Sequence, residues 1–321
     1  MTTLLAALTL ALLPILPAQA PAAPKSEPPK GEAPAPALTD RIVFLGASMT
    51  EGFGVEGEIG APIWMGDVLR AGLRRDLPPP NRGSNLLFFA DPKGIGTKTA
   101  ADALAKEPTL VVALDYLFWF GYGEFAAPEL RSESFELGLK QLAPFRCPIL
   151  VGDLPDMQAA LQGKPQMLQA KQLPDPATLT ALNERLRAWA KERPNVVLFP
   201  LAELNGKLRA GKEITLHGNT IFASELPDLF QSDLLHPTAM GTIVVWIAAA
   251  DALVRARRDC PSSWFEWDRQ QIYRKLYSSQ EPARKKKLLD KQKEFERKNP
   301  APPPPPPPDP AELERKQRGG G

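Results

Sequence analysis

Short apolar runs alternate with segments of helical period between about residues 40 and 261, and this alternation constrains the fold of the chain most strongly. The runs with the length and composition of buried parallel strands are residues 41–45, 86–90, 110–114, 149–151 and 196–199. The segments with a helical apolar period are residues 63–77, 134–142, 179–190 and 238–257. This order predicts a three-layer α/β/α domain at residues 40–262, built on a doubly wound, mostly parallel five-stranded sheet.

The first 39 residues indicate export. An apolar run at residues 4–16 is followed by Ala18-Gln19-Ala20, a small-x-small pattern that predicts a signal peptide over residues 1–20, cleaved after Ala20. An uncleaved anchor or a wrong start codon is the alternative. Pro14 and the shortness of the run argue against a stable membrane-spanning helix. Residues 21–39 are rich in Pro and Ala and predict an extended linker. We therefore expect a secreted or periplasmic protein.

The C-terminal region is basic and ends in a proline tract. From Arg269 onward there are 14 Lys and Arg against 7 Asp and Glu. We expect a basic helical extension at residues 263–299 and a disordered polyproline tail at residues 300–321, with Pro302 to Pro308 consecutive. One interpretation is a solvated helix followed by a free tail. The other is a basic arm that contacts an acidic polymer or a membrane surface.

Charge and the scarce residue types exclude several classes of protein. The formal net charge of +2 argues against a nucleic-acid surface spread over the whole chain. Two cysteines exclude a four-cysteine zinc site, and two histidines exclude a three-histidine metal site. We therefore expect no metal and no cofactor. Cys147 and Cys260 either form a disulfide or stay as separate buried thiols.

Two motifs carry chemical groups to the same edge of the predicted sheet. Ser48 follows the first strand in a turn of small residues, where a serine by itself is usually a turn or capping residue. Much later comes Asp233-Leu234-Leu235-His236-Pro237, whose spacing lets the Asp233 carboxylate reach the imidazole of His236. Because ligands bind at the carboxyl ends of parallel strands, the two motifs together predict a nucleophile, a base and an orienting acid.

These two motifs resemble the conserved blocks of the SGNH/GDSL hydrolase superfamily. The resemblance covers roughly residues 41–256 and rests on RIVFLGASMTEGFG and DLLHPTAMG. It implies a flavodoxin-like SGNH hydrolase fold and a catalytic triad of Ser48, His236 and Asp233. Ala47 stands where the family usually has an aspartate, which is not a member of the triad.

The resemblance also implies an oxyanion hole. In the family, its donors are the N–H of the nucleophile, a glycine N–H after the second strand and an asparagine side chain after the third. The matching positions here are Ser48 and Gly96, which we expect just before a helix beginning near Thr97; Gly94 is the alternative. At the third position the simplest register places Leu117, which cannot donate a hydrogen bond.

The residues around Leu117 are aromatic. We expect Asp115, Tyr116 and Tyr122 to line a substrate pocket or to belong to an aromatic core, with a tyrosine hydroxyl as a conjectural donor. An ionised Asp115 would oppose an oxyanion. His217 lies in a long connection and is expected to be a surface residue or to order that loop.

The function predicted from these residues is a serine esterase or acylesterase that hydrolyses an acyl or acetyl ester, with a carbohydrate as one option for the alcohol part. One alternative is a weakly active or non-catalytic protein of the same fold that binds an acylated glycan or an envelope component. Another is an acyltransferase with the same triad. The expected partner is a small-molecule or glycan ester, and no nucleic acid is expected.

Overall fold

A five-stranded parallel β-sheet with helices on both faces organises residues 37–299, which the computed structural model describes. The strands are β1 Ile42–Gly46, β2 Asn81–Ser84, β3 Leu110–Ala113, β4 Ile149–Gly152 and β5 Val196–Phe199. They are arranged in the order β2-β1-β3-β4-β5, and every neighbouring pair is parallel. This is the strand order of flavodoxin-like doubly wound sheets. The predicted fold class is confirmed.

Helices and one small hairpin connect the strands. The helices are α1 Ser48–Glu51, α2 Glu56–Ile59, α3 Met65–Ala71, α4 Pro92–Leu104, α5 Phe118–Gly121, α6 Pro128–Leu142, α7 Pro176–Lys191, α8 Leu201–Arg209, α9 Ala239–Ala256, α10 Arg269–Ser279 and α11 Glu281–Lys298. The hairpin pairs β6 Ile214–Leu216 with β7 Asn219–Ile221. Asp175, Thr238 and Asp268 cap α7, α9 and α10 by accepting backbone N–H groups of the first turn.

The sheet separates two apolar clusters because neighbouring residues of a strand point to opposite faces. Ile42 and Phe44 of β1 pack into a cluster with residues of α3, α9 and α10. Val43 and Leu45 of the same strand pack into a second cluster with residues of α4, α5, α6 and α7. Strands buried on both faces need apolar residues at every position, which explains why β1, β3 and β4 stand out in the sequence as unbroken apolar runs.

The second strand was predicted at the wrong place. The structure puts β2 at Asn81–Ser84, and the apolar run that we expected to be the strand forms a 3₁₀-helix, Leu86–Phe89. β2 lies at the edge of the sheet and none of its four residues is fully buried, so polar residues suffice there. The Asn85 side chain accepts the N–H of Leu87 and starts the 3₁₀-helix. Phe88 is buried, whereas Leu86, Leu87 and Phe89 are 45%, 61% and 54% exposed.

Helix α9 is the one helix of the described residues that is apolar enough to be compared with a membrane span. It is long and apolar enough to cross a membrane by length and composition, but 78% of that apolar window is buried inside the protein. It contacts β5, α3 and α10, so its apolar residues serve the core of the first cluster. The Asp251 carboxylate on this helix lies 2.8 Å from His217 Nε2 and 2.8 Å from Arg255 Nη1.

The core extends beyond the predicted domain boundary at residue 262. Ile272 and Leu276 of α10 are fully buried in the first cluster. The basic helix α11 is exposed along its length, with Leu288 and Phe295 among its exposed residues. That this basic helix contacts an acidic polymer or a membrane surface stays a prediction. The predicted signal peptide, most of the linker and the polyproline tail lie outside the described residues.

The two cysteines are free thiols on opposite faces of the sheet. Cys260 is buried in the first cluster, and Cys147 packs against the second. The strands lie between them, so the structure resolves the alternatives in favour of separate thiols. Burial raises the pKa of Cys147 to about 11 and that of Cys260 to about 12. At neutral pH both are therefore protonated, which is the unreactive form.

We expect the native protein to react slowly with an aromatic disulfide reagent at pH 8, and to release two thiol equivalents only after denaturation. The reason is that the thiolate is the reacting form and both pKa values lie well above pH 8. A reducing agent should leave the melting temperature unchanged. Rapid reaction of either thiol in the folded state, or a melting temperature lowered by reduction, would contradict this assignment.

Candidate active site

Ser48 and His236 lie 188 residues apart in the chain and meet at the carboxyl edge of the sheet. Ser48 is the first residue of α1, two positions after the end of β1, and His236 lies just before α9. The Ser48 Oγ atom is 2.8 Å from His236 Nε2. His236 Nδ1 is 2.7 Å from Asp233 Oδ2. The structure thus brings together the three residues that the sequence analysis selected from two separate motifs.

Hydrogen bonds from backbone N–H groups hold the turn from Asp233 to His236. Asp233 Oδ1 accepts the N–H groups of Leu235 and His236 at 2.9 and 3.0 Å. Leu234 takes a left-handed conformation with φ 53°, which closes the turn. The N–H of Gln231 donates to the carbonyl of His236 at 2.9 Å. The imidazole is therefore fixed from the backbone side as well as through its ring nitrogen.

Asp233 is ionised in spite of its burial. Burial by itself would raise its pKa, but the hydrogen bonds from the His236 ring and from two backbone N–H groups outweigh it, and the pKa lies below its ordinary value. An ionised carboxylate can only accept, so the proton between the two residues belongs to His236 Nδ1. In the neutral ring, Nε2 is then free to accept the Ser48 hydroxyl. This is the arrangement that makes a histidine a base for a serine.

The backbone around Ser48 leaves one donor free. The N–H groups of Ala47, Met49 and Thr50 all donate to the Asp115 carboxylate. Within the described residues, the N–H of Ser48 itself donates no hydrogen bond. A free N–H next to the serine oxygen is where the nucleophile's own oxyanion donor belongs.

Two cavities meet at Ser48 and His236. The inner one has a volume of about 40 Å³ and lies against apolar side chains that include Leu114, Phe118 and Met157. The outer one is an open cleft of about 500 Å³. Its walls are the exposed 3₁₀-helix Leu86–Phe89, the aromatic rings of Phe53 and Trp119, and the segment 166–172. Ser48 and His236 thus lie between a small apolar cavity and a large one.

Of the three predicted pocket residues, only Asp115 lines a cavity. Tyr116 is fully buried, and its hydroxyl bonds Gln141 and the carbonyl of Gly96. The hydroxyl of Tyr122 donates to the carbonyl of Pro155, and its ring stacks on Phe118. Burial raises the pKa of both tyrosines. The interpretation of Tyr116 and Tyr122 as pocket residues was wrong, because their hydroxyls are already used inside the core.

The prediction that the N–H of Gly96 completes the oxyanion hole was also wrong. Helix α4 begins at Pro92 and not near Thr97, so Gly96 lies in its second turn, where each N–H bonds the carbonyl four residues earlier. Its neighbours are Gln141, Phe120 and Tyr116, and it lines neither cavity beside Ser48. The alternative, Gly94, donates its N–H to Asp91.

Leu117, at the position where the family has an asparagine, is buried in the second cluster. The side chains that line the two cavities within the described residues include no asparagine. The outer cleft instead contains Gln166, Gln169 and Gln172, which the sequence analysis did not select. No local pattern marks them, because they lie in an irregular segment between β4 and α7.

A second histidine–carboxylate pair occurs far from this edge. His217, in the β6–β7 turn, lies 2.8 Å from Asp251 through Nε2, and its ring stacks on Trp267 at 3.6 Å. It lines neither cavity beside Ser48. The expected role of His217 in ordering its loop agrees with these contacts.

Comparison with known proteins adds a fold similarity. No protein-family model and no curated protein sequence matches the chain. Among solved structures, a lipase/acylhydrolase from Enterococcus faecalis is 14% identical, with a TM-score of 0.42 over 68% of this chain and 96% of that one. An α/β hydrolase from the metagenome of Lake Arreo, Spain, is 15% identical, with a TM-score of 0.40 over 70% and 98%. At these values the similarity carries no argument about activity, which rests on the site geometry.

We expect the neutral His236 ring to carry its proton on Nδ1, and Asp233→Asn to shift the proton toward Nε2, because an amide no longer holds Nδ1–H by charge. Ring ¹⁵N chemical shifts measure this directly. The chain has two histidines, so a His217→Ala sample assigns the signals. A wild-type ring protonated mainly on Nε2 would contradict the assignment.

Proposed function

We propose that this protein is a serine ester hydrolase of the SGNH type, in which Ser48 is the nucleophile. The observation that carries the proposal is the continuous hydrogen-bonded chain from Ser48 Oγ through the His236 ring to Asp233. A nucleophile, a base and an orienting acid in this order, open to two cavities, are the groups that acyl transfer needs.

The reaction follows from the geometry. Ser48 Oγ attacks the ester carbonyl carbon while His236 Nε2 takes its proton, and the carbonyl π electrons move onto oxygen. The Ser48 N–H stabilises that oxyanion. As the intermediate collapses, His236 gives the proton to the leaving alcohol and an acyl–Ser48 ester remains. A water molecule then attacks the acyl–Ser48 ester while His236 takes its proton. The acid is released as His236 returns that proton to Ser48 Oγ. Asp233 stays ionised throughout and stabilises the imidazolium.

The two cavities suggest how an ester would lie. The inner cavity has room for only a few heavy atoms, so it fits a short acyl group such as acetyl. The outer cleft is much larger and has apolar side chains on its rim, so it fits the alcohol part of the ester. We therefore propose a short-chain acylesterase whose alcohol product is bulky and partly apolar.

We expect a serine-directed phosphonate to label Ser48, and Ser48→Ala or His236→Ala to lower kcat on p-nitrophenyl acetate by at least roughly 10³-fold, because both changes break the nucleophile–base pair. The matched control is His217→Ala, which breaks the other histidine–aspartate contact and should leave kcat within about twofold. A folded protein that is unlabelled and inert on short acyl esters would leave only the non-catalytic alternative.

Acyl-chain preference tests the assignment of the inner cavity. Met157→Ala enlarges this cavity, so we expect the ratio of kcat/KM for hexanoyl over acetyl esters to rise roughly 10-fold or more, the order that even one newly accommodated methylene in an apolar pocket contributes. Met167→Ala changes the outer cleft and should leave that ratio unchanged while altering KM for esters of bulky alcohols. An unchanged acyl preference in Met157→Ala would mean that the acyl group binds in the outer cleft and not in the inner cavity.

Export and a surface contact by the C-terminal basic region stay predictions. Their residues lie wholly or partly outside 37–299, and the chemistry proposed for Ser48 does not depend on them.

A further inference from the structure

Asp115 makes an unusual set of contacts at the end of β3. Its Oδ1 atom accepts the N–H of Ala47 at 3.1 Å, and its Oδ2 atom accepts the N–H groups of Met49 and Thr50 at 3.0 and 3.2 Å. The Thr50 hydroxyl also donates to Oδ1. One carboxylate therefore binds the backbone on both sides of Ser48.

We infer that Asp115 is a positioning residue for the nucleophile: it fixes the turn so that the Ser48 hydroxyl faces His236 and the Ser48 N–H stays free for the oxyanion. The inference rests on the proposed function, since it concerns how Ser48 is held. Asp115 acts through the turn, and no reacting atom passes through it.

The fit between the turn and the carboxylate is tight. A Cβ atom on Gly46 would lie 2.2 Å from Asp115 Oδ1 and 2.2 Å from Thr50 Oγ1, so only glycine leaves room for this contact. Asp115 is itself buried, and within the described residues it forms no ion pair with a Lys or Arg side chain. The four donors of the turn are therefore what compensates the burial of this carboxyl. Burial raises its pKa above the ordinary value, and the bonds from Thr50, Ala47 and Met49 offset only part of that rise.

The turn has no acidic side chain of its own between Ala47 and Glu51. Asp115 provides one from the neighbouring strand. Ser48 thus depends on the pairing of β1 with β3, which holds Phe44 opposite Val112.

Asparagine at position 115 keeps the shape of the side chain and replaces one acceptor oxygen by an NH₂ group, which faces backbone N–H donors. We expect Asp115→Asn to lower kcat roughly 10- to 100-fold with KM within about threefold, because displacement of a reacting group by a fraction of an ångström to 1 Å costs rates of this order. Phosphonate labelling of Ser48 should slow by the same factor. A boronic acid, which mimics the tetrahedral intermediate, should lose affinity in parallel.

Thr50 provides graded variants at the same contact. Thr50→Val removes the hydroxyl donor alone and should lower kcat by a smaller factor than Asp115→Asn does. Thr50→Ser keeps the donor, so its kcat should be close to that of the wild type. In the double variant Asp115→Asn with Thr50→Val, the two losses should be less than additive, because both remove parts of one network.

The matched control is Asp251→Asn. Asp251 is equally buried, but it bonds His217 and Arg255 and lines neither cavity beside Ser48. This change should lower the melting temperature and leave kcat, labelling rate and boronate affinity unchanged. If Asp115→Asn behaves in the same way, with a lower melting temperature only, the positioning role is overturned while the hydrolase stands.

Two further outcomes separate this inference from the proposed function. If Ser48→Ala retains the activity of the wild type, the hydrolase proposal fails and Asp115 has no nucleophile to position. If Asp115→Asn does not fold, the Thr50 variants decide: a drop in kcat for Thr50→Val with recovery in Thr50→Ser supports the role, and equal rates for all three overturn it.

Discussion

The hydrogen bond between Ser48 Oγ and His236 Nε2 depends on most of the fold, although the bond itself contributes only on the order of 1 kcal/mol to stability. It forms only if β1 lies in the sheet and α9 docks beside it. That docking is driven by burial of α9, whose residues pack into the cluster shared with α3 and α10. Apolar burial far from the chemistry therefore determines the 2.8 Å distance, and the polar contacts refine it.

The two histidine–aspartate pairs show what distinguishes a reactive site from a structural contact. His236 with Asp233 and His217 with Asp251 have nearly the same separation, 2.7 and 2.8 Å. The ring of His217 stacks on Trp267, and Asp251 also contacts Arg255. Both side chains of this pair therefore have partners within the fold. His236 instead has its second nitrogen on a serine that borders two cavities. The third group and the open space, rather than the pair, are what support a function.

The sequence predicted the parts of the fold that rest on repeated local patterns. The buried strands β1 and β3–β5 and the amphipathic helices could be predicted because burial on both faces, or on one stripe, leaves a periodic trace. β2 left none, because its residues are only partly buried and so the polar residues of Asn81–Ser84 are tolerated there. The Ser48 and His236 motifs could be predicted as a pair from their positions after strands. The roles of Gly96, Tyr116 and Tyr122 could not, because they depend on where α4 begins and on which carbonyls lie nearby.

Asp115 is the residue whose role differs most between the sequence analysis and the structure. Considered alone, a carboxylate near a developing oxyanion is unfavourable, since like charges repel strongly in a buried site. In the structure, four donors from the turn already bond that carboxyl, and in the proposed reaction they flank the N–H that faces the oxyanion. The same contacts thus place the Asp115 carboxyl close to Ser48 and orient the free donor beside it. In the proposed reaction this N–H lies next to the developing oxyanion, so its preorganisation bears directly on the transition state.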